Sequence, residues 1–336
     1  IETKELEFKP KDFASDIEVK WCPGCGDYAI LKAVQKALAQ IGRKREDVVF
    51  VSGIGCSSRF PYYMSTYGFH SIHGRAPALA TGVKLANPDL SVWEITGDGD
   101  ALAIGGNHFI HAVRRNVGLN IILFNNEIYG LTKGQFSPTT PLGKITKTSP
   151  QGVIDNPFHP GELILGAQST FFARAVDINP NHLAGVCVEA ENHTGTSVIE
   201  VLQNCVIFND KVFSEYTAKE NKDEQLLYLE HGKPMVFGKE KNKGLRLNGL
   251  KLEVVTIGEN GVTEDDILVH DAKDEDPTLH FMLVRMMHPL VMGVIRSVSS
   301  TPYEVRLTKQ VENVESKSPF KSMDDLLLSG ETWEIK

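Results

Sequence analysis

The sequence contains no apolar run that approaches the roughly 20 residues a membrane-spanning helix requires. It also lacks a basic excess, because 35 lysines and arginines stand against 43 aspartates and glutamates, for a net charge of −8. A broad nucleic-acid surface normally shows such an excess. We therefore expect neither a membrane nor a nucleic acid as a partner. The short basic cluster at residues 43–45 is flanked by acids and indicates a solvated face.

Cysteines are few, at five in 336 residues. That number is too small for a disulfide scaffold, and an odd count is typical of a reducing compartment. The polar and acidic start of the chain (residues 1–5) is unlike a secretory signal. These features predict a cytoplasmic protein. A hydrophobic content of 41% and a charged content of 23% are typical of a globular chain.

Strand-like apolar runs alternate with helical patterns from residue 27 to about residue 209. The predicted strands cover residues 48–51, 91–96, 120–124, 171–176 and 197–202, and the predicted helices cover 29–41, 76–85, 102–113, 163–169 and 181–190. Strands separated by helices indicate parallel β-α-β units. The expected fold class is therefore α/β, a doubly wound, mostly parallel sheet with helices on both faces. Ligands of such sheets bind at the carboxyl ends of the strands.

The chain divides into three predicted parts: an N-terminal extension (1–20), a core domain (21–210) and a C-terminal extension (211–336). After residue 210 the helical and strand runs become short, and highly charged segments such as 239–243 and 271–276 appear. We expect this extension to be irregular and to pack on the core or on a partner.

The predicted strand 91–96 runs directly into Gly97-Asp98-Gly99-Asp100, and a predicted helix follows. Glycines let the backbone approach a ligand closely, and the start of a helix offers unpaired N–H groups to an anion. Asp98 supplies a hard oxygen that suits a Mg²⁺ ion bridging to phosphate. Asp100 is either a cofactor contact or the N-cap of the helix, and the residues alone leave both open.

The next predicted strand leads to Asn126, 28 residues after Asp98. The Asn126 side-chain oxygen and the Ile128 carbonyl could complete the coordination of Mg²⁺ together with phosphate oxygens and water. Gly130 permits another close approach of backbone to phosphate. A lone Gly-Asp-Gly is usually only a turn, but this combination at two strand ends predicts a diphosphate cofactor held through Mg²⁺. It resembles the diphosphate-binding motif of the thiamine diphosphate enzymes.

Four cysteines are placed where they could share a metal site. Cys22 and Cys25 form a compact pair, Cys56 lies in a glycine-rich turn, and Cys205 follows the last predicted strand. Thiolates select iron–sulfur clusters or zinc, and the spacing alone leaves a cluster, a zinc ion and a partial site open. Cys187 lies in an apolar helical segment and is expected to be a core thiol.

Together these motifs resemble the β subunits of the 2-oxoacid:ferredoxin oxidoreductases. The resemblance covers residues from about Trp21 to Phe208. The motifs occur in the family's order: Cys-Pro-Gly-Cys-Gly (22–26), Gly-Ile-Gly-Cys-Ser-Ser (53–58), His-Gly-Arg-Ala (73–76), Gly-Asp-Gly-Asp (97–100) and Asn-Asn-Glu-Ile-Tyr-Gly-Leu-Thr-Lys-Gly-Gln (125–135).

The resemblance implies three cofactors: thiamine diphosphate, Mg²⁺ and a [4Fe–4S] cluster. It implies Mg²⁺ ligands at Asp98, Asn126 and the Ile128 carbonyl, and cluster ligands at Cys22, Cys25, Cys56 and Cys205. The implied cofactor-binding residues are Cys56, Ser57, Ser58, His73, Gly74, Gly97, Asp98, Gly99, Asp100, Asn126, Ile128, Gly130, Leu131 and Thr132.

Within the family, residues 128–135 are similar to the 2-oxoglutarate branch. A cation at Lys133 or Arg59 would suit the second carboxylate of that substrate, although either could instead face a phosphate or solvent. His73 is the third candidate catalytic residue, with a capping or loop role as its alternative.

The expected function is therefore that of a β subunit of 2-oxoglutarate:ferredoxin oxidoreductase. Such an enzyme converts 2-oxoglutarate and coenzyme A to succinyl-CoA and CO₂, with electrons passing through the cluster to ferredoxin, in either direction. Thiamine diphosphate enzymes also need a pyrimidine-binding domain with an activating Glu, and Glu127 lies on the diphosphate side. The core has room for one such domain, so an α subunit or a fused γα subunit is expected to supply the other.

Three alternatives remain open. The same chemistry could act on pyruvate or another 2-oxoacid. The chain could belong to a non-oxidative thiamine diphosphate decarboxylase, which needs the Mg²⁺ site but no cluster. It could also be a zinc-stabilised dinucleotide-binding or scaffolding subunit, although residues 53–58 lack the third glycine of the dinucleotide motif.

Overall fold

An eight-stranded sheet forms the centre of the computed structural model, which describes residues 8–335. Its strands, in chain order, are β1 (Val48–Ser52), β2 (Tyr67–His70), β3 (Ser91–Gly97), β4 (Asn120–Asn125), β5 (Phe171–Val176), β6 (Ser197–Leu202), β7 (Leu226–Leu229) and β11 (Leu290–Ser297). The order across the sheet is β2-β1-β3-β4-β6-β5-β11-β7. The first six strands in that order run parallel, and β11 pairs antiparallel with β5.

Helices cover both faces of the sheet. They are α1 (Asp27–Ile41), α2 (Ala76–Ala86), α3 (Gly106–Arg115), α4 (Pro160–Gly166), α5 (Pro180–Asn192), α6 (Ser214–Thr217), α7 (Lys222–Gln225), α8 (Thr278–Val284), α9 (Tyr303–Lys317) and α10 (Met323–Leu327). A short 3₁₀ segment, Ser57–Tyr63, follows β1, and a π-helical turn, Asp100–Ile104, precedes α3. Among residues 8–335, no helix is both long and apolar enough to cross a membrane.

The central strands are buried on both faces, which explains why they read as continuous apolar runs. In β1, Val48 and Phe50 pack on the layer formed by α1 and α5, while Val49 and Val51 pack on the layer formed by α2 and α3. The two layers of core therefore lie on opposite sides of one sheet. This arrangement confirms the expected doubly wound α/β fold.

Every strand and helix predicted between residues 29 and 202 is present, with ends shifted by a few residues. The largest shift is at the helix predicted from residue 102, because the π-helical turn delays regular helix to Gly106. Within that turn Ala103 has non-helical dihedrals (φ −91°, ψ −105°). A π-helical turn beside a strand end often marks a functional site.

The C-terminal extension was expected to be irregular, and part of it differs from that expectation. Its strands β7 and β11 complete one edge of the main sheet. Three further strands, β8 (Val236–Phe237), β9 (Lys243–Asn248) and β10 (Lys251–Thr256), form a small antiparallel sheet. The sequence signal was weak because these strands are short and are separated by charged turns.

Candidate active site

A cavity of about 130 Å³ opens at the carboxyl ends of β1, β3 and β4, and we call it the oxygen cavity. Twelve of the predicted cofactor-binding residues line it: Cys56, Ser57, His73, Gly97, Asp98, Gly99, Asp100, Asn126, Ile128, Gly130, Leu131 and Thr132. Ser58 and Gly74 do not. Ser58 is buried beside the cavity and its carbonyl accepts from Ser52 Oγ (2.6 Å), while the Gly74 N–H donates to Asp100 Oδ1 (2.8 Å).

Asp98 faces the cavity but is almost completely enclosed, with 3% of its surface exposed. Two hydroxyls donate to the same carboxylate oxygen, Oδ2: Ser137 Oγ at 2.5 Å and Thr139 Oγ1 at 2.6 Å. Burial raises the pKa of Asp98, and these hydrogen bonds oppose the increase. A cation beside Asp98 would offset the burial of its charge.

Asn126 is held with its amide oxygen directed inwards. Its Nδ2 donates to Gln203 Oε1 (2.7 Å), and its Oδ1 accepts from the Ile128 N–H (3.2 Å). The carboxylate of Asp98, the amide of Asn126 and the carbonyl of Ile128 are all hard oxygen donors of the kind Mg²⁺ prefers. The donor set of the cavity therefore fits a magnesium ion that bridges to a phosphate.

A buried chain of hydrogen bonds leads away from Asp98 into the sheet. Thr139 Oγ1 lies 3.0 Å from Asn125 Oδ1, and Asn125 Nδ2 donates to Glu200 Oε1 (2.9 Å). Arg174 Nε donates to the other Glu200 oxygen (2.8 Å). All of these residues are buried, so each polar group in the chain stabilises the position of the next.

Asp100 does not cap a helix. Its Oδ1 accepts from His73 Nδ1 (2.5 Å) and from the backbone N–H groups of Ile54 (3.1 Å) and Gly74 (2.8 Å), and its Oδ2 accepts from Thr96 Oγ1 (2.7 Å). The carboxylate thus joins the ends of β1 and β3 to the loop after β2. It also fixes the His73 ring at the cavity wall.

Two glycines of the predicted motifs are required by close contacts. A Cβ on Gly99 would lie 2.2 Å from a ring carbon of Tyr129, whose hydroxyl donates to the Gly99 carbonyl (2.9 Å). Gly74 has φ +69°, and a Cβ there would lie 2.5 Å from the Gly105 nitrogen. Side chains at these positions would displace the cavity wall.

The four predicted cluster cysteines line a second cavity of about 450 Å³, which we call the cysteine cavity. Cys22 is exposed, and Cys25, Cys56 and Cys205 are partly buried. A Cβ on Gly130 would lie 3.4 Å from Cys205 Sγ and 3.7 Å from Cys56 Sγ, so a larger residue there would narrow the cavity between the two sulfurs. The fifth cysteine, Cys187, is fully buried in α5, as expected for a core thiol.

Two thiols of the cysteine cavity, Cys25 and Cys56, are held in the protonated form by their surroundings. Burial, followed by the charge of Asp27, raises the pKa of Cys25, and the same causes raise the pKa of Cys56 to about 12. Within residues 8–335 no three His, Cys, Asp or Glu side chains converge tightly enough to hold one metal ion. The donors and the space suit a larger iron–sulfur cluster, whose positive iron would favour deprotonated thiols.

Arg59 and Lys133 line the cysteine cavity rather than the oxygen cavity. Arg59 Nε donates to the Tyr63 hydroxyl (3.1 Å), and Lys133 is exposed with φ +78°. Asp27, Cys56, Asn126, Gly130 and Leu131 line both cavities. A substrate at this shared wall would therefore have both cations on its cysteine side.

Glu127 faces a third cavity, of about 320 Å³, that also contains Arg174 and Glu200. Burial raises the pKa of Glu127 to about 8, and the charge of Asp98 adds to the increase. The side chain does not line the oxygen cavity, which agrees with the expectation that it does not activate the cofactor.

Several residues of the site were missed from the sequence. Ser137 and Thr139 follow directly after the quoted motif, but their role shows only when the loop folds back on Asp98. Asn125 was inside the motif without an assigned role, and Glu200 and Arg174 were read only as strand residues. An acid and a base in two strands that are otherwise apolar were a usable signal, because buried charges in a sheet are normally paired.

Comparisons with known proteins agree with this geometry. Residues 53–201 match the family described as thiamine pyrophosphate enzyme, C-terminal TPP binding domain. The chain is 48% identical to the 2-oxoglutarate oxidoreductase subunit KorB of Mycobacterium tuberculosis, over 100% of this chain and 91% of that protein. It is 45% identical to the β subunit of 2-oxoacid:ferredoxin oxidoreductase 1 of Aeropyrum pernix, over 61% of this chain and 64% of that protein.

A solved structure is also similar over nearly its whole length. It is a 2-oxoglutarate:ferredoxin oxidoreductase from Magnetococcus marinus with 2-oxoglutarate, coenzyme A and succinyl-CoA bound. The TM-score is 0.78, the sequence identity is 31%, and 98% of each chain is covered.

Proposed function

This chain belongs to the β subunits of the 2-oxoacid:ferredoxin oxidoreductases, and we propose that with a partner subunit it oxidatively decarboxylates 2-oxoglutarate to succinyl-CoA, passing the electrons to ferredoxin. The observation that carries the proposal is the common wall of the two cavities. An oxygen-lined cavity suited to a diphosphate and a thiol-lined cavity suited to a cluster share Asn126, Gly130 and Leu131. A 2-oxoacid bound at this wall could therefore react at the diphosphate cofactor and pass its electrons to the cluster beside it.

Two groups would supply the chemistry when bound. Thiamine diphosphate supplies the electron sink for loss of CO₂, and a [4Fe–4S] cluster supplies a one-electron acceptor. In this proposal Asp98, Asn126 and the Ile128 carbonyl hold Mg²⁺ against the diphosphate. Cys22, Cys25, Cys56 and Cys205 hold the cluster.

The chain's own residues orient and enclose these groups. Ser137 and Thr139 direct Asp98, and Gln203 directs both Asn126 and Cys25, because its Nε2 also lies 3.3 Å from Cys25 Sγ. Gln203 thus contacts one proposed ligand of each metal site. Since Glu127 faces away from the oxygen cavity, the acid that activates the cofactor comes from the partner subunit.

The experiment is a viologen-reduction assay of the complex with its partner subunit and coenzyme A. Pyruvate, 2-oxoglutarate and a branched 2-oxoacid are compared. We expect the highest kcat/KM with 2-oxoglutarate, and no activity of this chain alone. A strong preference for pyruvate would overturn the substrate assignment. Release of CO₂ without iron and without viologen reduction would instead favour a non-oxidative decarboxylase.

We assign recognition of the second carboxylate of 2-oxoglutarate to Lys133. The change Lys133→Gln should raise the KM for 2-oxoglutarate about tenfold or more, because a charge-assisted hydrogen bond is lost. The KM for pyruvate should not change. Gln tolerates the positive φ of this position no worse than Lys does, so the substitution removes the charge without changing the backbone conformation.

Lys147→Gln is the matched control. Lys147 Nζ lies 5.2 Å from the ring centroid of Phe208, which lines the same cavity. The Lys147→Gln variant should have KM values for 2-oxoglutarate and pyruvate within about twofold of those of the wild type. An equal increase in the KM for 2-oxoglutarate in Lys133→Gln and Lys147→Gln would indicate a general effect of positive charge at the rim of the cysteine cavity. The assignment of Lys133 would then be abandoned.

A further inference from the structure

Two side-chain amides lie in series between the oxygen cavity and the cysteine cavity. Asn126 Nδ2 donates to Gln203 Oε1 (2.7 Å), and Gln203 Nε2 lies 3.3 Å from Cys25 Sγ. Asn126 lines both cavities, and Gln203 and Cys25 line the cysteine cavity. The two amides therefore connect a proposed Mg²⁺ ligand to a proposed cluster ligand through two hydrogen bonds.

The orientation of both amides is fixed by their backbone partners. The Ile128 N–H can only donate, so the Asn126 atom that it meets at 3.2 Å is Oδ1, and Nδ2 must face Gln203. The Asn204 carbonyl can only accept, so the Gln203 atom 2.6 Å from it is Nε2. Both ends of the series thus give the same direction. Each amide donates towards the cysteine cavity, and the last N–H meets a sulfur.

The Gln203 side chain is held tightly beside Cys25. Only 1% of its surface is exposed. A Cβ on Gly26 would lie 3.0 Å from Gln203 Cγ, so the loop that carries Cys25 packs directly on this side chain. The Asn204 carbonyl also accepts from the Gly26 N–H (3.2 Å), which joins the end of β6 to the cysteine loop. The contact between the amide and the sulfur is therefore maintained by the packing of two segments of the chain.

The position of this N–H gives it an electrostatic role. A hydrogen bond to a metal-bound sulfur favours the state in which the sulfur is more negative, and such bonds tune the potential of a cluster. A donor from Gln203 thus favours the reduced state. A cation on Asn126 Oδ1 would polarise the first amide and, through it, the second, because hydrogen bonds in series strengthen one another. Mg²⁺ at one end should therefore strengthen the N–H···S bond at the other.

We propose that Gln203 is a positioning residue that couples the two cavities: its amide raises the reduction potential of the cluster, and raises it more when thiamine diphosphate and Mg²⁺ are bound. The proposal rests on the proposed function, which supplies both groups and, from 2-oxoglutarate, the electrons. One electron is added in each reduction, no bond of the chain forms or breaks, and no proton moves. Reduction is thereby favoured while the cofactor is in place.

Asp27 is an acid at the same shared wall. It is 1% exposed and lines both cavities. A charge at this position would act on both sites through space, without the amides. A substitution of Gln203 leaves Asp27 in place, so only the coupling that is lost with the amide belongs to Gln203.

The test is a redox titration of the complex with its partner subunit, followed by electron paramagnetic resonance, with and without thiamine diphosphate and Mg²⁺. Gln203→Met keeps an unbranched side chain but has no N–H donor. It should lower the ratio of reduced to oxidised protein at a fixed potential about fivefold, or roughly 40 mV for a one-electron couple. In the wild type the cofactor should raise the same ratio about twofold, or roughly 20 mV. This rise should vanish in Gln203→Met.

Gln35→Met is the matched control. Gln35 is a buried amide of α1 that lines neither cavity, and its Nε2 donates to the Tyr63 carbonyl (3.4 Å). The potential of this variant should equal that of the wild type, with and without the cofactor. A merely structural opening of the cysteine cavity in Gln203→Met would have the opposite sign, because water admitted beside the cluster stabilises the more negative, reduced state.

The outcomes separate the inference from the proposed function. If the wild-type complex gives no signal of a reduced cluster, or does not bind thiamine diphosphate, the proposed function fails. If it does both, and the potential of Gln203→Met equals or exceeds that of the wild type, the role of Gln203 is overturned. An equal rise with cofactor in both proteins would overturn the coupling.

A second measurement uses the wild type alone and does not depend on the folding of Gln203→Met. Coupling between two sites is reciprocal, so the reduced complex should bind thiamine diphosphate with Mg²⁺ about twofold more tightly than the oxidised complex does. Calorimetric titration of the oxidised and the dithionite-reduced complex measures both Kd values. Equal values, or tighter binding by the oxidised complex, would overturn the coupling.

Discussion

The oxygen cavity and the cysteine cavity share a wall, but their polar groups are in opposite states. In the oxygen cavity, Asp98, Asp100 and Asn126 are each held by two or more hydrogen bonds from the chain. In the cysteine cavity, burial raises the pKa of Cys25 and of Cys56, and at the wall shared by the two cavities Asp27 Oδ2 has no hydrogen bond among residues 8–335.

The difference follows from the ligands that the oxygen cavity and the cysteine cavity are each suited to hold. A carboxylate or amide oxygen can be oriented by hydrogen bonds before a hydrated Mg²⁺ ion arrives. A thiol must lose a proton to bind metal, and a buried thiol does so only when the metal supplies the compensating charge. With the proposed ligands, the chain would preorganise the oxygen cavity, whereas the cysteine cavity would be completed only when a metal cluster binds.

The largest expected effect is on the cysteine half. Cys25→Ser replaces a thiol that lines only the cysteine cavity. We expect loss of iron and of visible absorption, and a fall in viologen reduction of about a hundredfold or more, since even residues that only orient metal ligands cost ten- to a hundredfold. Binding of thiamine diphosphate should change less than about threefold, because the oxygen cavity is organised by the chain itself.

Cys187→Ser is the matched control for this prediction. It makes the same substitution at the fully buried thiol of α5. It should lower stability by about 1 kcal/mol, as burial of a hydroxyl usually does, and should retain iron. If Cys25→Ser abolished cofactor binding as well, the two halves would not be independent and the comparison would be wrong.

A smaller effect is expected from the hydrogen-bond chain behind Asp98. Thr139→Val keeps the shape of the side chain but removes a hydroxyl between Asp98 and Asn125. The affinity for thiamine diphosphate with Mg²⁺ should fall about fivefold, as for the loss of one hydrogen bond worth about 1 kcal/mol. Calorimetric titration of the complex measures it.

Thr146→Val, whose buried hydroxyl lacks a hydrogen-bond partner among the described residues, should bind the cofactor as the wild type does. Equal Kd values for Thr139→Val and the wild type would show that Ser137 alone orients Asp98. The orientation of the Mg²⁺ ligands in the oxygen cavity would then depend on fewer residues than the hydrogen bonds of the structure indicate.

A contrast between local motifs and long-range contacts explains what the sequence could predict. Five of the six strands between residues 48 and 202 could be predicted because apolar runs and helical periods leave local signals. The sixth, β2, could not, because it is a short and largely exposed edge strand. Asp98, Asn126, Cys22, Cys25 and Cys56 could be predicted as candidate ligands because each lies in a compact motif, and Cys205 because it follows a predicted strand. The partners that orient them could not, since Thr139, Glu200 and Gln203 come from a returning loop and another strand. Long-range hydrogen bonds leave no periodic trace.

The edge formed by β7 and β11 was missed for a related reason. These strands are separated by about 60 residues that contain the small antiparallel sheet. Three short strands lie between β7 and β11 in addition to helix α8, so the strand–helix alternation that identified the other strands is broken there. Gly293 in β11, with φ +92°, further weakens the strand signal.

The smallest expected effect concerns Glu94 on β3, a buried acid behind the oxygen cavity. Both oxygens of Glu94 on β3 are buried without a partner among the described residues. Burial, followed by the charge of Asp100, raises its pKa well above the ordinary value. The folded chain therefore keeps this proton at a pH where the unfolded chain has released it. The free energy of unfolding falls as pH rises from about 4.3, the ordinary Glu value, to the raised pKa.

Glu94→Gln removes this dependence because an amide does not ionise. The variant should be more stable than the wild type near pH 7, and the difference should shrink towards about pH 4.3. Thermal unfolding midpoints of both proteins across this range measure it, and cofactor affinity should be unchanged. A difference that stays constant with pH would mean that the pKa of Glu94 is not raised in the folded protein, so that the side chain is ionised there. The oxygen half would then contain a charge that the chain has not satisfied, and its contrast with the cysteine half would weaken.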